Sequence, residues 1–351
     1  MNIFDGHNDV LTRLIDLPVN RAVEAFVQGD NQGHIDLPRM ISGSMSGGMF
    51  AMYVSPLPGD GELNFDELNG ESYNVPLPPK LPLEVALPVV MRQASLLHQF
   101  IAQSSGRMKL CVSATEIEQT INDGAVAAVM HLEGAEAIDD DLLNLDILYQ
   151  LGLRSLGPVW SRPNRFAHGV PFKFPGSPDT GPGLTKQGKE LVARCNELKI
   201  LIDLSHINEK GFDDIARLSN APLVATHSNA HALCPSTRNL TDHQLNAIKD
   251  SNGLAGVNLA TSFLRQDGQM RSDTSIEEVL RHMDYLITAL GEDRVGLGSD
   301  FDGAVVPEAI GSVSGLPSLV KAMHSHGYSE ELIKKLCCRN WLDVLQRVWG
   351  Q

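Results

Sequence analysis

The sequence predicts a parallel (β/α)8 barrel, and three observations predict it. Short apolar runs rich in Val, Ile and Leu recur along the 351 residues, each followed by polar turn residues and a segment of helical period, the rhythm of repeated βα units. Eight such runs occur, the number a closed barrel needs. Neither GxGxxG nor GxxxxGK(S/T) follows the first run, which argues against a doubly wound open sheet built around a phosphate loop.

The predicted strands are Asn2–His7, Gly48–Val54, Ala125–Leu132, Arg154–Trp160, Ile200–Ser205, Leu223–His227, Leu254–Leu259 and Val295–Ser299. Between them the apolar spacing predicts helices over Leu83–Gln103, Asp140–Leu151, Thr185–Glu197, Glu209–Leu218, Thr241–Asp250 and Ser275–Leu290, with Ser329–Trp349 closing the chain. Thr115 with Glu118, and Ser275 with Glu278, have the spacing of capping boxes. One domain over residues 1–351 is expected, interrupted at about 55–82 by a Pro- and Gly-rich insertion that admits neither continuous helix nor central strand. A second such cluster, FKFPGSPDTGPGLT, follows the fourth strand. Both would lie at the C-terminal mouth of the barrel, where loops shape a pocket.

Lys and Arg number 28 against 43 Asp and Glu, a formal charge of −15. That field repels nucleic acid and anionic membranes, so neither is expected as a partner. The N-terminal MNIFDGHNDV has no basic segment followed by a long apolar one, and no window reaches membrane-spanning length, so a cytoplasmic protein is expected. Five cysteines without a CxxC spacing indicate neither a disulfide framework nor a zinc ribbon.

The chemistry-bearing residues sit where a barrel holds its active site, at the C-terminal ends of predicted strands. They are His7 with Asp9 in DGHND, Glu133 in HLEGAEA, His206 in IDLSH, His227 in THSNAH and Asp300 in GSDFDG. His7 and Asp9, two apart, share a strand face. Glu133 has two carboxylate oxygens and could give one to each of two metals, offsetting the repulsion between cations about 3.5–4 Å apart. Neutral imidazoles from His206 and His227 suit zinc. Asp300 can take a proton from an activated water and deliver it to a leaving amine. Asp302 would cap a turn.

In that order, DGHND, HLEGAEA, IDLSH, THSNAHALCPSTRNLTD and GSDFDG resemble the membrane (renal) dipeptidase family of metallopeptidases, its soluble bacterial members included, through nearly the whole chain. The resemblance implies an amidohydrolase-type TIM barrel with two Zn2+ ions per chain, a zinc dipeptidase acting on small dipeptides and often tolerating a D-residue at the C-terminal position. It implies His7 and Asp9 as ligands of one zinc, His206 and His227 of the other, Glu133 as the bridge and Asp300 as the proton shuttle. Arg238 in STRNL matches the arginine that holds the substrate carboxylate, a task suited to a guanidinium fork. A homodimer is expected by resemblance alone.

One position departs from the family pattern: Trp160 stands where many members have a histidine that contacts the reacting carbonyl oxygen. An indole donates one hydrogen bond and carries no proton charge, so Trp160 reads either as an altered contact or as a pocket wall. His168, nearby in sequence, is a candidate replacement, and Arg162 and Asn164 are candidates for the same rim. The alternatives to a dipeptidase are a hydrolase of another small amide, such as a β-lactam or an N-acyl amino acid, and a non-catalytic accessory protein that keeps the barrel.

Overall fold

Strands covered on both faces need no polar alternation, which is why they read as nearly unbroken apolar runs. In the computed structural model, which describes residues 1–57, 59–60 and 64–350, these runs become β1 (Ile3–Asn8), β2 (Met45–Tyr53), β3 (Val126–Glu133), β4 (Leu153–Gly157), β5 (Leu201–Ile202), β6 (Val224–Ala225), β7 (Leu254–Val257) and β8 (Val295–Leu297). Every residue of β1 and β3 is buried. The strands are parallel in the order β5-β4-β3-β2-β1-β8-β7-β6. A bridge between Asp203 and Val224 joins the two ends of that order. The (β/α)8 barrel is therefore the fold, and Met108–Leu110 adds a short strand beside the first half of β3, which β4 reaches only from Met130 onward.

The floor of the barrel is an aromatic plug. Phe4, Met49, Val129, Leu201, Val224 and Leu254, from six strands, form one apolar cluster with Trp341. The indole has room because Gly6 and Gly296 lie against it: a Cβ at either would stand 2.3 Å or 2.5 Å from the ring. Its Nε1 donates to Leu297 O at 2.8 Å, so its polar atom is satisfied inside the apolar floor. Trp341 belongs to a terminal segment that the apolar spacing predicted as one helix from Ser329. That segment is Glu330–Lys334, a wide π turn at Lys335–Arg339, and Asn340–Trp349.

Two other expectations change at helix starts. Ser113, not Thr115, caps the helix Ala114–Asn122, accepting from Glu116 N while the Glu116 carboxylate accepts from Val112 N. Ser275 does cap Ile276–Leu290, but through Glu277 N, and Glu278 is spent on Arg281 at 3.0 Å. The reciprocal capping box occurs instead at Thr241 and Gln244.

At the mouth, the two Pro- and Gly-rich stretches meet. Tyr73–Val75 from the first pairs antiparallel with Phe172–Phe174 from the second. Tyr73 Oη donates to Gly268 O at 3.0 Å, tying this small sheet to the loop after β7.

His282, on Ile276–Leu290, is buried with both ring nitrogens used: Ala230 N donates to Nδ1 at 3.2 Å and Nε2 faces Leu264 O at 2.9 Å. Burial pushes its pKa down from 6.5 to about 4. The unfolded chain thus gains this proton near pH 6.5 and the folded chain only near pH 4. Between those values the unfolded state binds more protons, so stability falls as pH drops, by about 3 kcal/mol over the full window. Thermal midpoints of the wild type and His282→Gln at pH 7.5 and 4.5 should differ less for the variant. An acid shift equal in the two proteins would remove His282 as its source.

Candidate metal centre

Six residues from five strand ends converge at the mouth. His7 is the penultimate residue of β1, and the register between β1 and β2 slips between Asp5 and Asn8, a bulge of the kind that re-aims side chains beside a site. Asp9 is no longer extended but stands just before the short helix Val10–Leu14, its carboxylate making no capping hydrogen bond, so it meets His7 through a turn and not along a flat strand face. Their atoms Nε2 and Oδ2 lie 3.3 Å apart. Glu133 is the last residue of β3, and its Oε1 lies 3.7 Å from His7 Nε2, 3.0 Å from His206 Nε2 and 3.6 Å from His227 Nε2. The Nε2 atoms of His206 and His227 are 3.1 Å apart. One oxygen of Glu133 therefore faces three imidazole nitrogens.

Two groups of ligand atoms can each close on a cation, and they share a residue: His7, Glu133 and His227 in one, His7, Asp9 and Asp300 in the other, all within 4.8 Å of one another in each group. The far nitrogens of two imidazoles are held by hydroxyls, Ser161 Oγ at 3.0 Å from His206 Nδ1 and Thr226 Oγ1 at 2.8 Å from His227 Nδ1. This is how metal-binding histidines are oriented. Imidazole nitrogens mixed with carboxylate oxygens suit zinc or a similar divalent ion, so the residues fit a metal pair.

The electrostatics point the same way. Burial, and then Arg238 or His7, hold His206 and His227 well below the usual imidazole range, so both rings stay neutral with lone pairs to give. Burial drives Glu133 well above the carboxylate range despite His7, and Asp9 and Asp300 add to the rise. Burial opposes charge on His7, but Glu133 and Asp9 outweigh it and lift its pKa to about 10. Buried like charges of this density call for cations among them.

Asp300 follows β8 in a left-handed conformation, φ 59°, and Asp302 does the same at φ 67°. Such backbone is strained for a side-chain-bearing residue and here turns both carboxylates toward the mouth. Burial raises the Asp300 pKa. Asp302 does more than cap a turn: it lines the cavity, and its Oδ2 accepts from Arg13 Nε at 3.0 Å. Sequence reading missed Asn258, which donates to Asp300 Oδ2 at 2.9 Å, and Asp5, which accepts from Ser299 N at 2.6 Å just before Asp300. It also missed the hydroxyls of Ser161 and Thr226. Polar groups that meet across strands carry no spacing signal within one of them.

A cavity of about 400 Å3 opens at the cluster, and its lining combines Asp9, Glu133, His206, Asp300 and Asp302 with the apolar Tyr53, Trp160, Phe172, Phe263 and Met270. Trp160 lies beyond the end of β4, which stops at Gly157 and not at Trp160 as predicted. Its ring centroid is 5.0 Å from Tyr53, 5.5 Å from Phe172 and 5.9 Å from His206, so it is a wall of the cavity beside a candidate ligand. His168 is not brought to the site: it lies against Gly181, and Asn208 N donates to its carbonyl. Arg162 and Asn164 are buried behind the rim, Arg162 donating to Val54 O at 3.0 Å and Asn164 to Pro158 O at 2.7 Å. Arg238 is buried with its guanidinium carbon 5.3 Å from the Phe263 ring centroid. It donates to the carbonyls of Ser205 and His227, tying together the two histidine loops, and its buried Nε has no partner among the described residues.

The family model described as Membrane dipeptidase (Peptidase family M19) matches residues 1–350. A metallopeptidase from Rhodobacter sphaeroides, crystallised with a phosphinate mimic of the dipeptide L-Ala-D-Ala, is 54% identical with a TM-score of 0.97 and 99% of each chain covered. The crystal structure of dipeptidase AC, a metallopeptidase of family M19, is also 54% identical, with a TM-score of 0.97, covering 100% of this chain and 99% of the other. A Klebsiella pneumoniae protein named for the pqqA 5′ region is 52% identical over 263 residues, 75% of this chain and 97% of its own length.

The packing around the acidic side of the cluster has a consequence that can be measured. A Cβ at Gly303 would stand 2.2 Å from Asp9 Oδ2 and 2.6 Å from Asp300 Oδ1. Gly303→Ala is expected to weaken divalent-cation binding about 10-fold or more while leaving the far-ultraviolet circular dichroism unchanged. Titration with a competing chelator reads this, and unchanged affinity would show that the two carboxylates need not keep their present spacing.

Proposed function

The chain belongs to the membrane dipeptidase family of metallopeptidases, and from that premise we propose that it is a binuclear zinc dipeptidase of small dipeptides, L-Xaa-D-Xaa pairs among them. The observation that carries the reading is Glu133 Oε1 facing the Nε2 atoms of His7, His206 and His227 within 3.7 Å beneath a dipeptide-sized cavity. A Rhodobacter relative of 54% identity, bound to a mimic of L-Ala-D-Ala, supports the substrate class.

His7 and Asp9 would hold one ion, His206 and His227 the other, and Glu133 both. When bound, the pair supplies Lewis acidity at the scissile carbonyl and a water acidified toward neutral pH. The chain does the rest. Asn258 occupies Asp300 Oδ2, which leaves Oδ1 to collect the proton of the attacking water and return it to the leaving amine. Burial raises the Asp300 pKa despite the opposing charge of His7, which makes the carboxylate a stronger base. Arg238 is the residue we assign to the substrate carboxylate: it is buried on the histidine loops outside the cavity lining, its Nε has no partner among the described residues, and it would reach the substrate by turning toward the cavity. Trp160, Tyr53 and Phe172 exclude water from the reacting bond and limit length, so the cavity takes two residues and disfavours longer peptides.

Zinc-reconstituted protein should cleave L-Ala-D-Ala and L-Ala-L-Ala far faster than an alanine tetrapeptide, and Glu133→Ala should abolish that cleavage. Metal uptake without cleavage of any dipeptide would end the dipeptidase reading. Asp300→Asn should retain the metal stoichiometry and lose about 100-fold or more in kcat. Near-normal turnover in that variant would remove Asp300 from proton transfer.

A further inference from the structure

We infer that Asp203, acting through the Thr226 hydroxyl, dictates which nitrogen of His227 carries the hydrogen, and is therefore a positioning residue of the metal centre; this rests on the metal reading above. Asp203 Oδ1 accepts from Ser205 N at 3.1 Å, Ser205 Oγ at 2.6 Å and Thr226 N at 2.8 Å. Its Oδ2 accepts from Thr226 Oγ1 at 2.8 Å. A carboxylate taking two backbone N–H groups and two hydroxyls has no hydrogen to give. A hydroxyl has a single hydrogen, and Thr226 spends it on the charged acceptor, the stronger of its available partners. Thr226 Oγ1 also lies 2.8 Å from His227 Nδ1, and it can meet that nitrogen only by accepting. Nδ1 therefore bears the hydrogen, and Nε2 turns a bare lone pair toward Glu133 and His206.

The opposite tautomer would aim an N–H into the space a cation must fill, and the ring could not ligate without rearrangement. His206 is held less strictly. Its hydroxyl partner, Ser161 Oγ, makes no other side-chain hydrogen bond among the described residues, so nothing fixes the direction of that bond. Topology explains why Asp203 can do this. It follows β5 and bridges Val224 of β6 where the ring closes, which sets its carboxylate beside the residue that precedes His227.

Asp203→Asn is a reversal of the same shape. The backbone N–H groups of Ser205 and Thr226 hold the amide oxygen at the Oδ1 position, so the amide NH2 faces Thr226 Oγ1. With the charged acceptor gone, the hydroxyl gives its hydrogen to His227 Nδ1 at 2.8 Å in preference to Ser205 Oγ at 3.3 Å, which places the ring hydrogen on Nε2. Nitrogen-15 histidine spectra of the metal-free protein should report His227 with hydrogen on Nδ1 in the wild type and on Nε2 in Asp203→Asn. Zinc competition should show one of two sites weakened about 10–100-fold. Thr226→Ser should match the wild type in both readouts, whereas Thr226→Val, nearly isosteric and without the hydroxyl, should lose about 10-fold in zinc affinity at one site.

Asp203→Asn with a wild-type tautomer and wild-type affinity would overturn the assignment alone. If that variant does not fold, Thr226→Val decides, and wild-type affinity there overturns it equally. A wild-type protein that binds no zinc would overturn the metal reading and this assignment with it.

Discussion

Everything at the mouth of this barrel answers to one constraint: several carboxylates and imidazoles are gathered in a buried space where like charges cannot remain uncompensated. Glu133 is the focus, with three imidazole nitrogens within 3.7 Å of a single oxygen. Water cannot screen these groups, so the arrangement is stable only if protons or cations take up the charge. Protons would do so by quenching the donors, and the neutral His206 and His227 indicate the other route. The acidic excess of the chain then has a local meaning as well as a global one, since Asp9, Glu133, Asp300 and Asp302 all line the cavity.

Holding those groups in register is what the strand ends do. The six residues come from five strand ends, His7 and Asp9 sharing that of β1, and hydrogen bonds between neighbouring turns set the orientation. Asp5 of β1 accepts from Ser299 beyond β8 at 2.6 Å, Asn258 beyond β7 donates to Asp300 at 2.9 Å, and Asp203 beyond β5 accepts from Thr226 beyond β6 at 2.8 Å. With Asn258 also donating to His227 O at 3.2 Å, the arc of strands from β5 through β8 to β1 is thus repeated one layer up as an arc of polar contacts. The left-handed Asp300 and Asp302 are strained conformers that this layer holds in place, one through Asn258 and the other through Arg13.

How much of this was legible in the sequence follows from where each signal lives. Barrel strands carry their own signal, because burial on both faces makes Val126–Glu133 apolar almost throughout, and strand ends are found by reading where such runs stop. The proposed ligands were legible for that reason, as polar residues that interrupt an apolar run at its end. What failed was whatever depends on a partner distant in sequence. Tyr73–Val75 pairs with Phe172–Phe174 across a long separation, and each alone reads as loop. Trp341 sits on a segment whose spacing resembles any amphipathic helix, and only the glycines of β1 and β8 reveal a slot for it. His168 is close to Trp160 in sequence yet does not line the cavity, because its segment pairs with the loop after β5, where Gly169 bridges Ile207 and Asn208 N donates to the His168 carbonyl.

The two ends of the barrel divide the work, and the division bears on what Trp160 does. At the floor, Trp341 fills the space between strands, and stability is the evident use of its bulk. At the mouth, Trp160 packs at a tilt against Tyr53 and Phe172 beside His206, yet it leaves a cavity of about 400 Å3 in front of it. A residue there chosen for packing alone would close that space. An indole keeps it open while drying it, and a drier cavity strengthens each charge interaction with the substrate. A histidine at the same position would supply a proton-bearing contact to the reacting carbonyl, whereas the indole supplies shape and low dielectric. On the proposed function, the polar work at that carbonyl would then fall more heavily on Glu133, His206 and Asp300, which line the same cavity.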